Sequence, residues 1–224
     1  RTRRSKENRP MATKLRTPSA EADLAFMRSI VEGGGRMPMS AAICYLAGGL
    51  LYGFQCLFHM GQAAGLILWG PVPSLAFVVG ISVAFFIVLI WAIHRDNKQG
   101  GTRKGTTSNR AVNAALSGTG MANAAVIIIF GVGAMRDQDF AVWLYYPAII
   151  FALQSAAWFV GWSLKKKRWM LATSLGGWLT AVALGVLVRE PVAYLGVCTA
   201  ALFLLFAGPG LIMYLEARTP RTAA

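Results

Sequence analysis

VPSLAFVVGISVAFFIVLIWAI, residues 72–93, runs for twenty-two residues without one charged side chain, and His94-Arg95-Asp96 follows at once. A hydrocarbon core about 30 Å thick takes about 20 helical residues rising 1.5 Å each. Such a segment has to pair its own backbone groups in lipid, which a helix does and an open strand does not. Reading outward, five more segments repeat the pattern, so that the six are approximately Pro38–Met60, Val72–Ile93, Ala111–Ala134, Ala141–Ser163, Trp169–Val188 and Val192–Tyr214. None contains Asp, Glu, Lys or Arg. Strands of an outer-membrane barrel would be shorter and would alternate. The pattern therefore predicts an all-α, polytopic integral membrane protein with six transmembrane helices.

The composition agrees. Of 224 residues, 56% are hydrophobic and 14% charged, where a soluble domain carries roughly 25% charged residues. A soluble enzyme, a disordered chain and a disulfide scaffold are all disfavoured. The net charge of +13 raises the question of nucleic acid, but the cations sit in the connectors and form no stripe interleaved with aromatics. They report membrane topology instead, and no nucleic-acid partner is expected.

Twenty of the 22 Lys and Arg fall in alternate connectors, and only Arg136 and Arg189 lie in the others. Positive charge is retained on the cytoplasmic side, so both termini are expected in the cytoplasm of a chain placed in the plasma (inner) membrane. The domains are a head over 1–36, a bundle over 37–216 and a tail over 217–224. Arg1 is not an ordinary initiator and Met11 could be one, so residues 1–10 are open to reading as a tag, a processing remnant or a misassigned start, and without them the charge falls to +9. No cleavable signal peptide is expected, because the first apolar run starts too far in. Trp69, Trp143, Tyr145, Tyr146 and Tyr194 fall near outer span ends, and Trp91, Trp158, Trp162, Trp169 and Tyr214 near inner ends. They are expected to form two interfacial belts, with Trp178 packed between helices in mid-span.

In the head, Ser19 is placed to cap a short amphipathic cytoplasmic helix over about 20–32, stopped by Gly33-Gly34-Gly35. Leu24, Met27, Ile30 and Val31 share its apolar face. Its charges, Glu21, Asp23 and Glu32 against Arg28, suit an anionic leaflet poorly. The face is expected to dock on the inner ends of the spans or on a protein partner. The connector from Arg95 to Arg110 is Gly- and Thr-rich and holds no phosphate-loop pattern.

Chemistry-bearing constellations are scarce. All nine acids lie outside the spans, and there are two His. Ion-coupled machines usually keep an ionisable group at mid-membrane, so such a role is not expected. No catalytic residues, metal ligands or cofactor are assigned. Cys44, Cys56 and Cys198 read as small buried hydrophobes; Cys56 and Cys198 lie toward the outer leaflet, where a bridge is geometrically open but nothing in the sequence supports one. The one polar line is on the first span, where Tyr45, Tyr52 and His59 recur every seven residues beside Gln55 and Gln62. Lipid cannot satisfy amides and imidazole, so the line faces protein or water. Asn113, Ser117 and Asn123 of the third span and Gln154 of the fourth are its candidate partners. Together these nine residues define either a polar cavity or a set of interhelical bonds. A faint echo between residues 52–56 and 151–155 is read as chance, as is one that would make Pro209 a helix break.

The expected function is that of a non-catalytic multi-pass membrane protein, an accessory subunit or sensor-regulator. Its partners are the lipid bilayer and a cytoplasmic or membrane protein, with a second copy of the chain a further candidate. The alternative is a small permease for a neutral or weakly polar solute along the first-span line. The topology is checked by labelling single cysteines placed in a cysteine-free background. Gln138→Cys should react with an impermeant maleimide on intact cells, and Lys166→Cys only after permeabilisation; the reverse pattern would invert the chain.

Overall fold

The computed structural model describes residues 37–98 and 107–218 and is helical, with no strand among those residues. The elements are α1 (Met39–Ala63), α2 (Pro71–Lys98), α3 (Thr107–Asp137), a single turn α4 (Phe140–Trp143), α5 (Tyr145–Lys165), α6 (Arg168–Val186) and α7 (Pro191–Ala201). A π-helical segment, Leu202–Ala207, joins α7 to α8 (Gly208–Arg218), and the three form one continuous last span. Six helices are long and apolar enough to cross a membrane. The amphipathic head helix and its face Leu24, Met27, Ile30 and Val31 lie outside the described residues.

Local chemistry sets the helix starts and stops. Pro71 and Pro191 open α2 and α7, where a missing N–H costs nothing and φ is already helical. After α1 the chain turns through Gly65 at φ 74°, and the Leu66 N–H closes back on the Gly61 carbonyl at 2.9 Å. Between α5 and α6 only Lys166 and Lys167 remain; Lys166 takes φ 55° and its N–H caps the Trp162 carbonyl at 2.7 Å.

Packing inverts the soluble pattern. On α2 the exposed residues Val72, Leu75, Val79, Val83, Phe86 and Ile90 recur at three- and four-residue steps, an apolar stripe turned outward. Leu175, Leu179, Val182 and Val186 do the same on α6. Apolar surface on this scale is stable in hydrocarbon and not in water. The six helices are thus compatible with a multi-pass membrane protein. Interiors are lined by small and hydroxyl side chains. Between α5 and α6, Ser174 donates to the Ser155 carbonyl at 2.8 Å, and Ser155 donates to the Phe151 carbonyl at 2.7 Å beside Gly177.

The tightest crossing joins α1 to the last span. A Cβ on Gly49 would fall 2.8 Å from Ala207 Cα, and one on Gly210 2.7 Å from Leu46 Cα. Antiparallel backbones here all but touch. α2 packs along α1, α3 along α5, α5 along α6, and α6 along α7, so α2 and α3 are the flanking helices.

Several expectations need correction. The helix expected to begin at 141 is split: α4 ends at Trp143 and α5 starts at Tyr145. Trp158 and Tyr194 are core residues at 0% and 2% exposure, because the bundle closes over them, and they are not interfacial rings. Trp178, placed in the interior by the sequence, is 36% exposed and leans on Phe159 at 5.6 Å. The sixth span, by contrast, is one continuous helix, and Pro209 does not break it. The helix runs through it, with the π-segment immediately upstream.

Backbone contact leaves no room to relax, so Gly49→Ala and Gly210→Ala should each destabilise the fold by about 1–3 kcal/mol. Gly80→Ala, open on every side, should be neutral or slightly stabilising. Detergent-denaturation midpoints of the purified variants measure the difference, and equal effects at Gly49 and Gly80 would remove the crossing from its central place.

Candidate functional site

The polar line on α1 is distributed between two neighbours. Tyr45 points into the bundle, its ring 5.1 Å from Trp158 of α5 in an edge contact and 5.5 Å from Phe206 in a stack. Tyr52, seven residues on, turns toward α2, where its ring lies 5.3 Å from Phe85. Gln55 has a buried Oε1 with no hydrogen-bond partner among the described residues. His59 and Gln62 reach the far end of α1, where His59 Nδ1 and Gln62 Oε1 are 2.9 Å apart. Gln62 Nε2 donates to Ser74 Oγ at 2.7 Å, and Ser74 donates to the Gly70 carbonyl at 2.9 Å.

That last chain has a direction. Because Ser74 gives its proton to Gly70, it accepts from Gln62, which leaves the Gln62 carbonyl oxygen as acceptor for His59. The neutral imidazole therefore carries its proton on Nδ1 and keeps Nε2 as an acceptor. The chain staples the α1–α2 hairpin across its loop.

The proposed partners are placed as follows. Gln154 is buried on α5 between Phe151 and Trp158, the two rings that meet Phe206 and Tyr45, so it shares the interface that Tyr45 enters. Asn113, Ser117 and Asn123 lie on α3, which packs along α5; Ser117 is exposed, and Asn123 has a buried Oδ1 without a partner among the described residues. The structure thus joins His59 with Gln62, and sets Tyr45 against Trp158, one turn along α5 from Gln154. It does not collect all nine residues around one space.

Two clusters were not legible in the sequence. At the basic end of the bundle, Met37, Ala42, Val112, Trp158, Met170 and Met213 form a buried group drawn from five spans, flanked by Tyr45 and Trp169. Tyr45 Oη, Trp158 Nε1 and Trp169 Nε1 are buried there without a hydrogen-bond partner among the described residues. Trp158 and Trp169 meet edge to face at 5.3 Å. Around this group, polar pairs tie the same end together. The Ser40 hydroxyl and N–H both bind the Asp96 carboxylate, Lys165 donates to Asn109, and Lys167 pairs with Glu216. At the opposite end Phe151, Leu184, Tyr194, Cys198 and Ala201 form a second core, with Cys56 against it. Tyr194 there donates to the Leu144 carbonyl at 2.6 Å. Sequence spacing flags each residue type, but only the topology says which helices meet.

No group of three or more His, Cys, Asp or Glu able to hold a metal occurs among the described residues. No family model matches the chain, and comparison with curated proteins and with solved structures finds no match.

The two ends respond differently to substitution. Trp158→Ala should cost about 3–5 kcal/mol through the cavity it leaves. Tyr45→Phe, which deletes a hydroxyl with no partner among the described residues, should cost less than about 1 kcal/mol, and Gln62→Leu about 1 kcal/mol by unpairing His59 and Ser74. Detergent unfolding of the three variants checks the order; a large loss in Tyr45→Phe would reveal a bound acceptor at that hydroxyl.

Proposed function

We propose that this chain is a non-catalytic membrane subunit, an accessory or regulatory component that presents its basic end to an acidic surface of a cytoplasmic or membrane protein partner. The observation that carries the reading is the division of labour among the cations at that end. Lys165 and Lys167 are engaged by neighbouring helices at the bundle's end, through Asn109 and Glu216. Lys98, Arg110, Lys166, Arg168 and Arg218 are exposed around them. Lys166 and Arg218 lie over the rings of Trp162 and Tyr214, at 4.7 and 4.6 Å, which fixes a cation in place without neutralising it. An array of fixed, unneutralised cations recruits a complementary anionic surface and orients it. By the positive-inside rule we expect this array in the cytoplasm, together with the expected docking face Leu24, Met27, Ile30 and Val31.

The permease reading has less behind it. Tyr45 and Tyr52 meet rings of neighbouring helices, Gln62 bonds Ser74 of α2, and His59 bonds Gln62 within α1 itself, so these four residues read as structural bonding.

Affinity capture from native membranes in mild detergent, at native expression, tests the proposal. A partner protein should co-purify stoichiometrically, and Lys166→Glu with Arg168→Glu should lower its recovery at least tenfold while leaving the amount of inserted chain unchanged. Recovery of the bare chain, of a second copy alone, or of a partner indifferent to the charge reversal would overturn it.

A further inference from the structure

Cys56 on α1 and Cys198 on α7 are 142 residues apart in sequence, yet their sulfur atoms stand 3.7 Å from each other. From this contact we propose that the two thiols are a redox-modification site, closing to a disulfide that staples the first span to the last.

The geometry is favourable for reasons set elsewhere in the fold. Disulfides need Cα atoms within about 4.4–6.8 Å, closer than most helix pairs bring them. Here α1 and the last span are drawn together by the Gly49–Ala207 crossing, and Gly53 lets the Phe203 ring lie against the α1 backbone one turn from Cys56. The sulfurs have to close from 3.7 Å to about 2.05 Å, a movement within reach of side-chain rotation and a small helix shift. The third cysteine, Cys44, lies twelve residues earlier on α1, and its sulfur is not in this contact.

The surroundings select the oxidant. Cys198 is 4% exposed and belongs to an apolar cluster with Phe151, Leu184, Tyr194 and Ala201, while Cys56 is half-buried against it. A folded oxidoreductase cannot reach sulfurs packed among helices. A small neutral hydroperoxide can. One cysteine sulfur attacks the O–O bond, forming a sulfenic acid and releasing water. The second sulfur then displaces the sulfenic hydroxyl, forming the S–S bond and releasing a second water once its thiol proton is taken up. The balance is two thiols and one hydrogen peroxide to one disulfide and two waters. The peroxide supplies the oxidising equivalents. Because the second thiol is already in contact, condensation should outrun further oxidation of the first.

The test uses the full-length chain in proteoliposomes, treated with hydrogen peroxide and then denatured and alkylated. The alkylatable thiols should fall from three to one, the survivor being Cys44. Tryptic cleavage at Lys165–Arg168 should leave the fragments carrying Cys56 and Cys198 joined until dithiothreitol is added. Cys44→Ser should close as the wild type does. Cys198→Ser should instead leave a Cys56 sulfenic acid that a dimedone probe captures, so loss of the crosslink is distinguished from loss of the fold. Three thiols still reactive after peroxide, a crosslink between two copies, or fragments that separate without reductant would overturn the proposal. The outcome is independent of which protein the basic end recruits.

Discussion

Nothing pushes apolar helices together inside hydrocarbon, since lipid tails solvate a leucine as well as another leucine does. What holds such a bundle is contact: many weak dispersion terms that exist only if backbones come close. The crossing of α1 with the last span is where this chain secures that contact. Gly49 and Gly210 have no Cβ to hold the axes apart, and Ala207 has the least that a chiral residue can carry. The π-segment belongs to the same arrangement. Pro209 lacks an N–H and its ring would press on the carbonyl one turn back. The widened turn over Leu202–Ala207 shifts the register just before it, with the Gly208 N–H bonded to the Phe203 carbonyl. The helix therefore passes through the proline and still turns Ala207 and Gly210 toward α1.

From that crossing the rest of the bundle is built in both directions. The last span also packs on α6, α6 on α5, and α5 on α3, while α2 packs along the other flank of α1. Each end is then finished with a different chemistry. At the basic end, where the chain meets water, hydrogen bonds and an ion pair join Ser40 to Asp96, Asn109 to Lys165 and Lys167 to Glu216. At the opposite end the closure is aromatic and thiol-bearing, with Tyr194 reaching the Leu144 carbonyl. Charged pairs this exposed contribute little stability individually. Their value is register: each links residues about fifty positions apart and so fixes which helix end meets which.

Much of this was readable in the sequence because lipid imposes long-range rules on local composition. An uncharged run such as residues 72–93 has few alternatives to a spanning helix, and the outward stripe Val72–Ile90 follows from its composition. Which helices touch was not readable. The seven-residue spacing of Tyr45 and Tyr52 places both on one face, but a face wide enough to meet two neighbours sends Tyr45 to Phe206 and Tyr52 to Phe85. Trp158 and Trp178 show the same limit. Both are tryptophans within apolar runs, and only the packing of α5 makes the first a core residue and leaves the second at the surface. At Pro209 the apolar run reads as one span, but the π-turn that accommodates the proline is not visible in the sequence.

The flanking helices are where this architecture has freedom to act. α2 is held to α1 at three heights, by Ser40–Asp96 at one end, Tyr52–Phe85 in the middle and Gln62–Ser74 at the other. Such a hairpin moves as one body or not at all. α3 is secured differently: Asn109 and Val112 anchor its first turns against α5, and near its other end Gly131 and Gly133 lie against Trp143 and Val142 of α4, while Met121 between them is exposed. Its attachment is therefore divided between the basic end and the short α4 turn, so α3 is held at both ends and least in between, where its side chains turn outward.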